Sequence, residues 1–312
     1  MILKVGYIDS LVQKVITLLK NNNIDITSSK RLRVPSGQGK TVVCISIKDE
    51  KDYILKIVDV TPEIMKEEPI EEINEEIRNQ IMYMSIRTFN EIEMSKKCPN
   101  LPQLRNIGNH LFQYLIYDNS AYLYYIEEKV EGTMFRYKDT YTITEVISFL
   151  EQLIDNIRIM SENDYVHRDI TPSNIMENNG KYFLIDGGIG KNIKDGLDIT
   201  KTGTPIGKAR YLAPEQERVT ANMNWTFQTD LYPLGIIATE MFIPKTRNIP
   251  DKDIRDIQIV AKKWLEKDNS YEAQLLFKKI IANLLNEIKA LRFNSITELI
   301  SELEKVKKEV IK

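Results

Sequence analysis

The chain has 312 residues, enough for one two-lobed domain or two small ones, and its net charge of −2 gives no reason to expect a nucleic-acid partner. Hydrophobic residues make up 42% of it and charged residues 28%, as in ordinary globular proteins. Two cysteines, Cys44 and Cys98, provide no disulfide framework, so we expect reduced thiols and a cytoplasmic protein. No apolar run approaches the roughly 20 residues of a membrane helix, and Asp9 and Lys14 interrupt the apolar N-terminus, which argues against a signal peptide.

The first predicted element is an amphipathic helix over residues 8–20. Leu11, Val15, Ile16, Leu18 and Leu19 recur there at helical spacing. We expect this helix to pack on the neighbouring fold, and a docking or regulatory element is the alternative.

A glycine-containing loop follows near residue 36. The stretch Val34 to Thr41, VPSGQGKT, lacks only the first glycine of a phosphate-binding P-loop, but a P-loop must be followed by a helix. Here the β-branched run Thr41 to Ile47 predicts a strand. We therefore expect a loop between two strands in which Gly37 and Gly39 let backbone N–H groups approach phosphates, with a plain hairpin turn as the alternative.

The next strand, Tyr53 to Val58, carries a lysine within an apolar run. Burying an unpaired lysine is costly, so Lys56 is a candidate functional residue, with a solvent-facing strand lysine as the alternative. Residues 61–98 are rich in acidic residues and helix formers. We interpret the acidic run as a solvated face, with a docking surface as the alternative.

The catalytic candidates lie in the second half of the chain. Tyr165 to Met176 reads YVHRDITPSNIM, with Asp169 and Asn174 five positions apart. A short apolar strand then ends at Asp186-Gly187-Gly188. Phosphoryl transfer from a Mg-bound nucleotide needs one carboxylate to accept a hydroxyl proton, and an amide and a second carboxylate to hold metal ions. In these motifs the chain resembles the eukaryotic-like protein kinases.

The resemblance runs from about residue 31 to about 310. It implies an α+β fold with a small antiparallel-sheet N-lobe at 31–130, a mainly helical C-lobe at 131–312, and ATP and Mg²⁺ between them. Residues 1–30 are an N-terminal helical extension in this scheme.

The family pattern also assigns roles to individual residues. Asp169 is the base, Asn174 and Asp186 are the metal ligands, and Lys56 binds phosphates. Glu91, in Asn90-Glu91-Ile92-Glu93-Met94, positions Lys56, with Glu93 as the fallback. Lys56 and Glu91 are 35 positions apart, more than the family usually has, so the resemblance implies an extra turn or helix around 63–78. Ala121 to Gly132 resembles the adenine-binding strand and hinge. There Glu128 and Val130 offer backbone groups to the base, and Glu127 falls where a bulky apolar side chain is usual; this indicates either a polar back pocket or a register shifted by one residue.

Further positions match the regulatory and structural parts of the family. Arg168 matches the arginine that grips a phosphate of the activation loop, where Thr200, Thr202 and Thr204 are candidate phosphorylation sites. Ala213-Pro214-Glu215 matches the A-P-E signature, and Arg292 matches the arginine that pairs with Glu215. Asp230 matches the residue that caps the backbone of the catalytic loop.

Three positions depart from the family pattern. Thr171 stands where serine/threonine kinases carry a lysine, and Gly187 replaces the usual phenylalanine. Lys208 stands where a threonine is usual if Gly207 to Glu215 aligns with the segment before A-P-E; the other register uses Thr204. In the first register, Thr171 and Lys208 are exchanged catalytic residues, and Lys208 supplies the positive charge.

The sequence therefore predicts an ATP- and Mg²⁺-dependent protein kinase that phosphorylates a protein hydroxyl, with serine or threonine favoured over tyrosine. Two alternatives stay open: a nucleotide-binding pseudokinase that acts as an interaction module, and a small-molecule kinase. The partner expected is a protein substrate, docked through the N-terminal helix or the acidic 63–78 stretch, with no nucleic acid and no membrane segment.

Overall fold

The computed structural model describes residues 2–32, 40–67, 72–187, 191–192, 209–217, 225–268 and 270–310. The chain forms two compact units, one from Met1–Lys96 with Pro102–Val130 and the other from Lys97–Leu101 with Glu131–Lys312. The first contains an antiparallel sheet and the second is mainly helical, which confirms the predicted α+β class.

The first unit begins with a helix that is longer than the predicted 8–20 segment. Its elements are α1 (Ile2–Asn21), β1 (Ile26–Arg31), β2 (Lys40–Ile47), β3 (Asp52–Asp59), α2 (Glu63–Glu67), α3 (Glu75–Lys97), β4 (Leu104–Arg105), β5 (Phe112–Tyr117) and β6 (Ser120–Glu128). The separate helix α2 occupies part of the 63–78 region in which an extra element was expected.

The sheet of this unit has the described strand order β1-β2-β3-β6-β4, with β5 also paired to β6, and all of its pairs are antiparallel. Successive side chains of a strand point to opposite faces. Leu55 and Ile57 of β3 pack with the buried side of α1, whereas Val58 packs with α3. Helices thus cover both faces, and for this reason the residues of β6 from Ala121 to Glu127 are buried without alternation.

The second unit is built around helices. Its elements are β7 (Thr133–Met134), α4 (Ile143–Glu162), β8 (Tyr165–Val166), β9 (Ile175–Asn178), β10 (Lys181–Leu184), β11 (Lys191–Asn192), α5 (Phe227–Phe242), α6 (Ile257–Asp268), α7 (Tyr271–Leu276), α8 (Ala282–Leu284) and α9 (Ile296–Val310). Thr142 and Glu145 form a capping box that starts α4.

Helix α5 lies at the centre of the second unit. Residues Thr229 to Phe242 are all buried, a pattern expected of a helix that other elements surround. Gly235 lies where α5 meets the end of α8, and a Cβ atom there would come within 2.9 Å of the Leu284 Cβ atom. The missing side chain therefore sets how closely these helices approach.

In the ranges that the structure describes, none of the helices has both the length and the apolar character required to cross a lipid bilayer.

We expect Gly235→Ala to destabilise the protein by about 1–3 kcal/mol, because an added methyl group overpacks a filled contact. Gly6→Ala is the matched control: it lies in helix α1, and apart from its chain neighbours and the backbone of its own helix, no described atom comes within 4 Å of the place where its methyl group would sit. That change should stabilise by about 0.5–1 kcal/mol through helix propensity alone. Urea unfolding of both variants checks the prediction, and equal shifts of the same sign would contradict it.

Candidate active site

Three charged side chains of the sheet lie on the face that α3 covers. In the register of the sheet, Lys56 of β3 is directly opposite Val42 of β2 and Tyr125 of β6. Lys40 is two residues from Val42, and Glu127 is two residues from Tyr125. Both therefore lie on the same face of the sheet as Lys56, and each is a diagonal neighbour of Lys56. The alternation of the strands therefore gathers them beneath the helix.

Helix α3 supplies the carboxylate that joins the two lysines. Its buried positions recur every three or four residues, and Glu91 falls on that stripe with 1% exposure. Its Oε1 atom lies 2.7 Å from Lys56 Nζ, and its Oε2 atom lies 2.7 Å from Lys40 Nζ. Glu93, the fallback partner for Lys56, instead forms an exposed ion pair with Lys96 at 3.5 Å.

Glu127 completes this group as a second carboxylate on Lys56, with its Oε1 atom 3.0 Å from Lys56 Nζ. Lys56 and Glu127 are each only 5% exposed. We call Lys40, Lys56, Glu91 and Glu127 the buried charge cluster. Its two positive and two negative charges balance, as buried ionic groups require. The sequence left two interpretations of Glu127 open, a polar back pocket or a shifted register. The ion pair with Lys56 agrees with the polar pocket.

The end of β6 carries the backbone groups expected to face adenine. The N–H group of Glu128 donates to the Gln103 carbonyl at 2.8 Å, so its carbonyl is the group it could offer to a base. The Glu128 side chain pairs at the surface with Lys51 at 2.5 Å. Val130 is half-buried at the end of this unit.

In the second unit, a buried aspartate fixes the backbone of the HRD loop. Asp230, in the first turn of α5, accepts hydrogen bonds from the backbone N–H groups of His167 (2.8 Å) and Arg168 (2.7 Å). Burial raises the pKa of Asp230 to about 7, and these N–H donors oppose the rise. The loop therefore depends on a single carboxylate for two of its backbone donors.

Arg168 is held in a backbone conformation that few residues other than glycine adopt. Its φ is +68°, and its carbonyl accepts a hydrogen bond from Gln216 Nε2 at 2.8 Å. Its guanidinium carbon lies 4.2 Å from the ring centre of Trp225. The strained position is thus fixed at its N–H, its carbonyl and its side chain, the kind of constraint that is common at functional sites.

Asp169 and Asn174 are joined directly. The Asn174 side-chain nitrogen donates to the Asp169 carbonyl (2.9 Å) and to its Oδ2 atom (3.0 Å). The β9–β10 hairpin then brings the next part of the chain alongside, because the Ile185 N–H donates to the Asn174 carbonyl at 2.9 Å. Asp186 follows immediately, with a φ of +60°.

These residues fit a magnesium ion held together with substrate phosphates. Because the Asn174 nitrogen is committed to Asp169, its side-chain oxygen is the atom that remains to bind a cation. In the part of the chain that the structure describes, no group of three or more His, Cys, Asp or Glu residues could hold a metal ion. One carboxylate and one amide oxygen are nevertheless enough for Mg²⁺, which completes its shell with water and phosphate.

Thr171 is buried and faces its own loop. Its hydroxyl lies 2.9 Å from that of Ser173, and its carbonyl accepts the Asn174 N–H at 2.9 Å. It therefore helps to shape the turn that carries Asn174.

Glu215 and Arg292 form the ion pair expected of the A-P-E segment. The two arginine Nη atoms lie 2.8 and 2.9 Å from the two carboxylate oxygens. Arg292 is 3% exposed and also donates to the carbonyls of Asn286 and Gln228. This two-pronged geometry is one that lysine could not reproduce.

Several predicted site residues lie outside the described residues. They are Gly37 and Gly39 of the glycine loop, Thr200, Thr202 and Thr204 of the regulatory segment, and Lys208. The structure gives no account of their roles.

Sequence reasoning did not find Lys40 or Trp225 and did not connect Glu127 to Lys56. The signal for Glu127 was present, because a charged residue that ends the apolar run AYLYYI needs a partner as much as Lys56 does. Lys40 and Trp225 carry no such signal, since neither one is a charge that interrupts or ends an apolar run.

Comparison with known proteins identifies the family of the chain. A model of the protein kinase domain matches residues 36–303. A probable serine/threonine-protein kinase of Clostridium perfringens (strain 13 / Type A) is 28% identical over 222 residues, 68% of this chain and 30% of that protein. PrkC, a serine/threonine-protein kinase of Bacillus subtilis (strain 168), is 35% identical over 98 residues, 31% of this chain and 14% of that protein.

The chain belongs to the protein kinase family, which confirms the resemblance seen in its motifs. It spans less than a third of the length of these two curated relatives.

We expect Asp230→Ala to lower the free energy of unfolding by about 2–5 kcal/mol, because two buried N–H groups lose their acceptor. Asp139→Ala, at an exposed position, is the control and should change it by less than about 0.5 kcal/mol. Urea unfolding compares the two variants, and equal stability would show that the loop does not depend on Asp230.

Proposed function

We propose that this chain is an ATP- and Mg²⁺-dependent protein kinase that transfers a phosphoryl group to a serine or threonine hydroxyl of a protein. The observation that carries the proposal is the hydrogen-bonded pair of Asp169 and Asn174 on a loop fixed by Asp230. A carboxylate held in this way is suited to accept the hydroxyl proton of a substrate.

Other residues take supporting roles in this proposal. Asn174 and Asp186 supply oxygen ligands to Mg²⁺, which when bound neutralises charge on the phosphates. Lys56, oriented by Glu91, binds the nucleotide phosphates. Gly37 and Gly39 bring backbone N–H groups to them, and Glu128 and Val130 offer backbone groups to the base.

The choice of serine or threonine rests on the names of the relatives and on the catalytic loop. The relatives described above carry the names of serine/threonine kinases. Ser173 is not the arginine that tyrosine kinases carry in this loop. The buried hydroxyl of Thr171 cannot replace a lysine charge, which favours the idea that Lys208 supplies it.

Regulation and docking are further parts of the proposal. Phosphorylation at Thr200, Thr202 or Thr204 would provide an anionic partner for Arg168. The acidic stretch favours docking of a basic segment, because Glu63, Glu75 and Glu76 line a groove of about 820 Å³ beside Tyr83 and Met84. Helix α1 is the weaker docking candidate, since its apolar side is buried in its own unit. A cytoplasmic location stays a prediction.

Two alternatives to a protein kinase stay open. A pseudokinase would bind nucleotide without transfer. Thr171, Gly187 and Lys208 favour it, and the intact set Lys56, Asp169, Asn174 and Asp186 argues against it. A small-molecule kinase would lack the need for an A-P-E segment, and the Glu215–Arg292 pair argues against it.

We expect Asp169→Asn to reduce phosphate transfer about 100- to 10,000-fold while nucleotide binding survives, because the amide cannot accept a proton. The matched control is Asp155→Asn, which removes one charge from an exposed ion pair on α4. Transfer from labelled ATP to a generic protein substrate measures both. Near-full activity of Asp169→Asn would remove Asp169 from the catalytic role.

We expect Asp186→Asn to lower nucleotide affinity in the presence of Mg²⁺ but not in its absence, because the change removes a carboxylate ligand of the ion. Calorimetry with and without Mg²⁺ measures the difference. If the variant and the parent bound Mg-ATP equally well, Asp186 would not be a metal ligand.

A further inference from the structure

Lys56 is held by two carboxylates that come from different elements. Glu91 reaches it from helix α3 at 2.7 Å, and Glu127 reaches it from strand β6 at 3.0 Å. Strand β6 is hydrogen-bonded to β3, the strand that carries Lys56. The contact with Glu127 therefore lies within the sheet and does not require the helix.

We propose that Glu127 is a second positioning residue for Lys56, which keeps the lysine oriented from the sheet when the contact with Glu91 is lost. The proposal rests on the phosphate-binding role proposed above for Lys56. It adds a second positioning residue on β6, and it predicts that nucleotide binding by Lys56 tolerates the loss of Glu91.

The register of the sheet makes this anchor rigid. Lys56 is directly opposite Tyr125, so Glu127 is a diagonal neighbour whose distance is set by backbone pairing. The Lys56 ammonium also lies 5.6 Å from the ring centre of Tyr125, on the same face. Strand β6 thus contacts the lysine through two side chains.

Lys40 explains how a second carboxylate can be accommodated. Two carboxylates around Lys56 alone would leave a net negative charge beside a group proposed to bind phosphates, and like charges repel. Lys40, 2.7 Å from Glu91 Oε2, makes the buried charge cluster neutral. The positive charge of Lys40 therefore offsets the negative charge that Glu127 adds.

A double-mutant cycle tests the proposal, using Glu91→Gln, Glu127→Gln and the double variant. One readout is the affinity for a non-hydrolysable ATP analogue with Mg²⁺, measured by calorimetry; the other is kcat and KM for transfer. Lys56→Met gives the reference for complete loss of the lysine. Glu93→Gln, an identical change at a half-exposed position of the same helix, is the control.

We expect each single change to weaken analogue binding by less than about tenfold, because one carboxylate still orients Lys56. The double variant should lose at least about tenfold more than the product of the two single effects, a coupling typical of residues that share one ion-pair network. Combining Glu91→Gln with Glu127→Asp should restore most of that loss. In the transfer assay, the single changes should raise KM more than they lower kcat.

The proposal is overturned if the two effects simply multiply, or if Glu91→Gln alone is as damaging as Lys56→Met. The comparison of Glu91→Gln with Lys56→Met tests the proposal even if the double variant does not fold. Analogue binding that follows the expected pattern without any phosphate transfer would overturn the proposed function and leave this inference standing. A parent protein that does not bind the analogue would overturn both.

Discussion

The first unit depends on one buried carboxylate. Glu91 is almost inaccessible to solvent and lies between two lysines that come from different strands. Taking one such ion out of water costs several kcal/mol, which is recovered only when partners are held at short distance. This requirement fixes the rotation of α3 over the sheet, because only one side of the helix can present Glu91 to both Lys40 and Lys56.

The loop of the second unit that carries Arg168 and Asp169 also depends on a buried carboxylate. Asp230 is buried, and its oxygens accept hydrogen bonds from the backbone N–H groups of His167 and Arg168. The loop carries Arg168 in a strained conformation, and Asp169 follows directly. In each unit, a buried carboxylate positions a residue proposed to act on the nucleotide or the substrate. Glu91 positions Lys56 in the first unit, and Asp230 holds the loop that carries Asp169 in the second.

The sequence predicted the parts of this site that depend on short motifs. Asp169 and Asn174 are five residues apart, and their hydrogen bond follows from one tight turn. The contact between Lys56 and Glu127 could not be read in the same way, because it depends on a strand register fixed by packing on both faces of the sheet. The start of α9 shows the same limit. Ser295 and Glu298 have the spacing that is typical of a capping box. Ser295 does accept a hydrogen bond from the Glu298 N–H, but the Glu298 carboxylate accepts from the Asn294 N–H instead of completing the box.

The most direct test of the proposed kinase activity is the chemical identity of the product. The purified chain would be incubated with labelled ATP, Mg²⁺ and a generic protein substrate, and the labelled protein would be hydrolysed to its phosphoamino acids. We expect phosphoserine or phosphothreonine, formed only when Mg²⁺ is present. Phosphotyrosine would contradict the specificity, and nucleotide binding without any labelled protein would contradict the assignment of this chain as a protein kinase.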